Sequence, residues 1–134
     1  MNIPLCNLIL NSILVGIILI TQCVSYPLFK NIGTDFTFFH KKYVNLIGFV
    51  VAPIMVLELV IVAILLMNNF DNAIIRAITA LVFLIWASTF LIQVPIHNSL
   101  SIEKDLVKIN LLIKSNIIRT SCWVIKLILS TLIL

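Results

Sequence analysis

The sequence predicts an all-α integral membrane protein, a four-helix bundle running up-down-up-down, with short amphipathic helical segments in its cytoplasmic loops. Three observations lead there. Hydrophobic residues make up 62% of the 134 residues and charged ones only 10%, against roughly half and about a quarter in soluble domains, and the mean hydropathy is +1.22. Four apolar segments reach the roughly 20 residues that a helix needs to cross hydrocarbon at about 1.5 Å per residue. Polar residues inside those segments recur at helical spacing, so each helix carries a face ill suited to lipid. A water-soluble enzyme is excluded, because so little polar surface cannot keep a fold in solution.

We read one transmembrane domain, 1–134, with helices at about 5–25, 44–67, 72–96 and 116–134. Lipid offers no partner to free backbone groups, which makes each segment a helix. The first lacks the basic n-region of a signal peptide, so it is expected to stay in the mature protein. Beyond it, Gly33 can end a segment and Thr34 or Asp35 can cap a helix beginning at Phe36. Phe36, Phe39, His40 and Tyr43 then share a face, an aromatic turn at the interface that runs into the second helix. Within that helix Pro53 frees the carbonyl of Phe49. The turn Asn68-Asn69-Phe70-Asp71-Asn72 is short, which makes the second and third helices antiparallel neighbours. Between the third and fourth, residues 99–115 alternate Leu106, Ile109 and Ile113 with Glu103, Lys104, Lys108 and Lys114 at helical spacing. That pattern predicts an amphipathic surface helix or an extension of the third helix.

Basic residues then orient the chain. The net charge is +4; Lys30, Lys41 and Lys42 follow the first helix and Lys104, Lys108 and Lys114 follow the third, whereas the turn after the second holds Asp71. Cytoplasmic loops collect Lys and Arg, so both termini are expected outside the cytoplasm. These charges sit in loops and at helix ends and form no stripe for a nucleic acid, leaving the lipid bilayer as the expected partner. Cys6, Cys23 and Cys122 lie in apolar stretches without metal-ligand spacing and read as small hydrophobes.

Inside the bundle, the fourth helix stacks Asn116, Arg119, Trp123 and Lys126 at steps of three or four residues, and the third places Trp86, Gln93 and His97 on one face. Gln22, Ser25, Tyr26 and Phe29 stand at the cytoplasmic end of the first. Lys126 lies about ten residues into its helix and Glu58 about fourteen into the second, both near mid-membrane. An unpaired ion there costs several kcal/mol, so Glu58 and Lys126 are expected to form a buried ion pair or to share a proton, whether as a lock between helices or as part of a site.

The expected ligand-binding set is Gln22, Tyr26, Trp86, Gln93, His97, Asn116, Arg119 and Trp123. There Arg119 engages an anionic or carbonyl group, unless it snorkels to headgroups, and Trp123 stacks on a ring. No motif names a reaction; His97, Glu58 and Arg119 are the catalytic candidates by their capacity to move protons or hold charge. His40 and His97 lie at similar depth, and two axial imidazoles would be enough to hold a haem. A non-haem metal would want a third ligand at their level, and Glu58 lies too deep, so no such metal site is expected.

Gln22 with Ser25-Tyr26-Pro27-Leu28-Phe29, then His40, Pro53 and Glu58, then Gln93-Val94-Pro95 with His97-Asn98, then Asn116 with Arg119-Thr120 and Trp123, resembles a group of small uncharacterised bacterial four-helix membrane proteins. The second half, with its Pro-x-His-Asn turn and Arg-Thr entering the last helix, is similar to the anthrone-oxygenase-like membrane family. The resemblance implies a bacterial inner membrane location and, if activity carries over, oxidation of aromatic polyketides without a cofactor, with His97, Asn98 and Arg119 at the matching positions. Ser25 and Tyr43 stand where the bacterial group often has histidine. Three functions follow as expectations: a pocket for a small hydrophobic or aromatic ligand, a structural or accessory subunit that acts as a homodimer or within a membrane complex, and an anthrone-oxygenase-like enzyme.

Overall fold

The computed structural model describes residues 2–134 and is all-helical. Helix α1 (Ile3–Ile20) runs through a π-helical turn (Thr21–Ser25) into the short α2 (Tyr26–Leu28) and a 3-10 turn (Phe29–Asn31). Helix α3 (Phe36–Asn68) is unbroken across Pro53. Helix α4 (Ala73–Ser88) passes through a second π-helical turn (Thr89–Gln93) into α5 (Val94–Leu100), and α6 is Leu106–Thr131. The described residues thus make four rods. Ile3–Asn31, Phe36–Asn68 and Ala73–Leu100 are long and apolar enough to cross a membrane. In α6 the apolar run is interrupted by Lys108, Lys114, Arg119 and Lys126.

Several expected boundaries are corrected. The apolar span expected at 44–67 is continuous with the helix expected from Phe36, so that α3 starts there; Phe36 packs its ring against His40 at 5.4 Å and edge-on against Phe29 at 6.1 Å, giving the aromatic turn an interior of its own. Asp35 holds the N-cap position without a side-chain cap bond. The helix expected at 116–134 begins at Leu106, where Asp105 Oδ1 accepts from the Val107 and Lys108 amides. Of residues 99–115, Ser99 and Leu100 end the third rod and Leu106 onward belongs to α6, in whose first turns Ile109 and Leu112 are fully buried, so no separate surface helix lies between.

Helix α6 packs against α1 and α4, while α3 packs against α1 and α4. Hydrogen bonds from Asn7 to Ser130 (2.9 Å) and from Asn116 to Gln22 (2.8 Å) fix the first rod and α6 as antiparallel. The molecule is inverted relative to a soluble protein. Asn7, Asn11, His40, Glu58, Asn116, Lys126 and Ser130 are fully buried, whereas Phe49 is 82% exposed and Leu91 76%. Water would penalise that exterior, and hydrocarbon would not.

The two π-helical turns set which residues face inward. In α4 the buried positions Ile75, Ile78, Val82, Ile85 and Ser88 recur every three or four residues, then the next is Gln93, five residues on, followed by Ile96 and Leu100. The first rod does the same, with Ile18, Thr21, then Tyr26 and Phe29. A π-helical turn adds one residue to a helical turn and advances the inward face accordingly. Each lies just before a proline, Pro27 and Pro95, whose ring has no amide hydrogen and crowds the carbonyl four residues earlier; the wider turn relieves both.

Candidate functional site

Between the first rod, α3, the third rod and α6 lies a cavity of about 290 Å³. Its walls are mostly apolar, with Leu14, Ile18, Val51 and Met55 at its inner end. Gly48 and Ala52 line it from α3, and a Cβ built on Gly48 meets nothing within 4 Å. Phe90 and Val94, exposed on the third rod, line the opposite side. The cavity thus opens laterally between α3 and the second π-helical turn.

Several residues of the cavity wall carry buried polar atoms. Among the described residues six buried side-chain polar atoms have no hydrogen-bond partner, and four of them, Tyr43 Oη, Trp86 Nε1, Gln93 Oε1 and Arg119 Nε, belong to residues of the cavity wall. An orphaned buried polar group costs about 1–3 kcal/mol, so four around one space are a feature to be explained. Each is held in place from behind. Gln93 Nε2 donates to Ser115 Oγ at 2.9 Å, which leaves its oxygen free. Arg119 Nη1 donates to Asn116 Oδ1 at 3.3 Å, and its guanidinium lies over the Trp123 ring at 5.2 Å. Asn116 is fixed in turn by Gln22 Oε1, which also accepts from Thr120, while Gln22 Nε2 donates to the Ile113 carbonyl.

At the loop-facing end, Tyr26 and His97 form part of the cavity wall and begin a hydrogen-bonded chain. Tyr26 Oη is 3.0 Å from His97 Nε2, His97 Nδ1 is 3.0 Å from His40 Nε2, and His40 Nδ1 is 3.0 Å from Ser101 Oγ. The two imidazoles stack with centroids 5.2 Å apart, and Phe29 meets His40 edge-on at 5.3 Å. The expectation of a haem between these histidines is corrected. All four ring nitrogens already have partners at 3.0 Å and the rings bond to each other, so no nitrogen lone pair is turned to an iron.

On the other side of Trp123 lies the ionic centre. Lys126 Nζ stands 2.9 Å from Glu58 Oε1, and both side chains are fully buried. Trp123 Nε1 donates to Glu58 at 3.2 Å, Lys126 also donates to Asn7 Oδ1 at 3.0 Å, and Asn7 donates to Ser130 at 2.9 Å. Glu58 is therefore removed from the cavity it was expected to serve as a proton carrier.

Of the expected ligand-binding set, Tyr26, Trp86, Gln93, His97, Arg119 and Trp123 line the cavity. Gln22 and Asn116 do not; they bond to each other and act on the cavity only by orienting Arg119. Asn98 is exposed and away from it. Sequence reasoning missed Tyr43, assigned to an interfacial turn, and Ser101, Asn7 and Asn11. An i, i+3 step from His40 to Tyr43 was the available signal for the first; the signal for Asn7 and Asn11 was their spacing of one helical turn in an otherwise apolar segment, and Ser101 carried none. No family model, curated protein or solved structure matches the chain.

Proposed function

We propose that the chain is a four-helix up-down-up-down bundle of the bacterial inner membrane whose lateral cavity binds one small, flat, hydrophobic or aromatic ligand bearing hydroxyl and carbonyl groups. The observation that carries this reading is the set of four unpartnered polar atoms on one apolar cavity. Gln93 and Arg119 are each held by a hydrogen bond to a residue of α6 and still keep one polar atom without a partner, which a ligand seated beside them would satisfy. Trp86 Nε1 and Arg119 Nε supply donors for a carbonyl, Gln93 Oε1 supplies an acceptor for a hydroxyl, and the Trp123 and Trp86 rings supply flat apolar surface. The lateral opening suits entry from lipid.

The orientation with both termini outside the cytoplasm draws support from the loops. Lys104 Nζ donates to the carbonyls of Lys30 and Ile32, which brings the two lysine-bearing loops to one end of the molecule. Catalysis on the bound ligand, as the anthrone-oxygenase-like resemblance implies, is a second reading; His97 and Arg119 on the cavity wall favour it, and the exposed position of Asn98 does not.

The test uses the two tryptophans, both on the cavity wall. Menadione, a flat quinone, titrated into the detergent-solubilised protein is expected to quench their fluorescence saturably, and Gly48→Leu, which fills open space, is expected to abolish saturation. Linear quenching of equal slope in both proteins would contradict the proposal.

A further inference from the structure

The chain Tyr26, His97, His40 and Ser101 has a fixed hydrogen-bond direction, and that direction follows from donor counting alone. Ser101 Oγ donates its one hydrogen to the His97 carbonyl at 2.9 Å, since a carbonyl can only accept. Its contact with His40 Nδ1 must therefore be donated by the imidazole. A neutral His40 with hydrogen on Nδ1 has a bare Nε2, so His97 Nδ1 donates to it. His97 then has a bare Nε2, and Tyr26 donates to it. Every link points away from the cavity and toward Ser101, which is half-buried where α5 ends. The Tyr26 oxygen, its own hydrogen committed, accepts from the Arg119 guanidinium and keeps a second acceptor position for a ligand hydroxyl.

We propose that Tyr26, His97, His40 and Ser101 form a one-way proton relay that takes a proton from a hydroxyl of an aromatic ligand in the cavity and delivers it to water at the loop-facing end. It rests on the cavity being a ligand site. The ligand hydroxyl gives its proton to Tyr26 Oη as the Tyr26 proton moves to His97 Nε2. The Nδ1 proton of His97 moves to His40 Nε2, the Nδ1 proton of His40 moves to Ser101 Oγ, and the proton Ser101 had donated to the His97 carbonyl breaks that bond and leaves to water. The ligand ends as an anion beside Arg119, each protein group ends neutral, and both imidazoles end as the other tautomer. No electron is transferred. Turning of the rings and hydroxyls resets the chain. The stacked geometry of Phe36, His40 and His97, with Phe29 packed edge-on, leaves His40 fully buried, so water does not reach that link of the chain.

Nitrogen NMR of histidine-labelled, ligand-free protein in nanodiscs tests the direction. Both imidazoles are expected to carry hydrogen on Nδ1, the tautomer that free histidine disfavours; hydrogen on Nε2 of either would overturn the relay. β-Naphthol, which becomes a strong acid when excited, tests the transfer. Bound to the wild type it is expected to emit as naphtholate, and His40→Phe and Ser101→Ala, neither on the cavity wall, are expected to bind it equally while naphtholate emission falls several-fold. Without His40, His97 would have to keep the proton as a buried cation. Ser101→Ala, at the partly exposed end of the chain, covers the case in which His40→Phe fails to fold. Equal binding with unchanged emission would overturn the relay alone, whereas no saturable binding of β-naphthol by the wild type would overturn the ligand reading and with it the relay's proton donor.

Discussion

Two polar regions meet at Trp123 and differ in how completely their atoms are satisfied. Below the indole, Glu58, Lys126, Asn7 and Ser130 answer one another, and none of these side chains is among the orphaned atoms. Above it, Arg119 lies over the ring and faces a cavity with one nitrogen unpartnered, in the company of Tyr43, Trp86 and Gln93. Burial is similar on both sides, since Lys126 is 0% and Arg119 7% exposed. Satisfaction, more than burial or charge, separates a lock from a site. A closed network has nothing left to offer a ligand, and an open one carries a cost that a ligand can relieve.

Breaking the lock has the largest expected effect. Lys126→Met strands a buried carboxylate and is expected to cost about 3–5 kcal/mol, read as a fall in Tm in detergent, while Glu58→Leu combined with Lys126→Met recovers most of it because no lone ion remains. Gly48→Leu acts on the other side. It is expected to weaken menadione binding at least about a hundredfold, about 2.8 kcal/mol, with Tm unchanged or higher, since glycine is replaced inside a helix at a position where an added Cβ meets nothing within 4 Å. Arg119→Leu should lower affinity about tenfold, about 1.4 kcal/mol, and lower Tm less than Lys126→Met does, because no carboxylate is paired with Arg119 in the structure. Asp105→Ala, outside both regions, should cost about 1 kcal/mol through the lost cap of α6 and leave affinity unchanged.

Much of the helical content was legible because lipid-length apolar runs admit little else, and the depth count that put Glu58 and Lys126 at one level needs only the rise of a helix. The phase of the inward faces was harder. Straight helical spacing from Trp86 to Gln93 ignores the extra residue of the second π-helical turn, and the real inward row runs through Ile85 and Ser88 to Gln93. The Pro27 and Pro95 positions hinted at irregular turns without saying which kind. The helix start at Phe36 was legible from its local cap residues, whereas the start at Leu106 was missed although Asp105 caps it, because the charged residues within 103–108 mask the buried face of Ile109 and Leu112. Nor does spacing within one helix say that Gln22 is spent on Asn116 and thus withheld from the cavity.

Native mass spectrometry with β-naphthol tests the separation of lock and site most directly. One ligand per chain is expected for the wild type and for the Glu58→Leu/Lys126→Met double variant, and none for Gly48→Leu. Binding by Gly48→Leu at the wild-type level, or its loss in a folded double variant, would contradict the account.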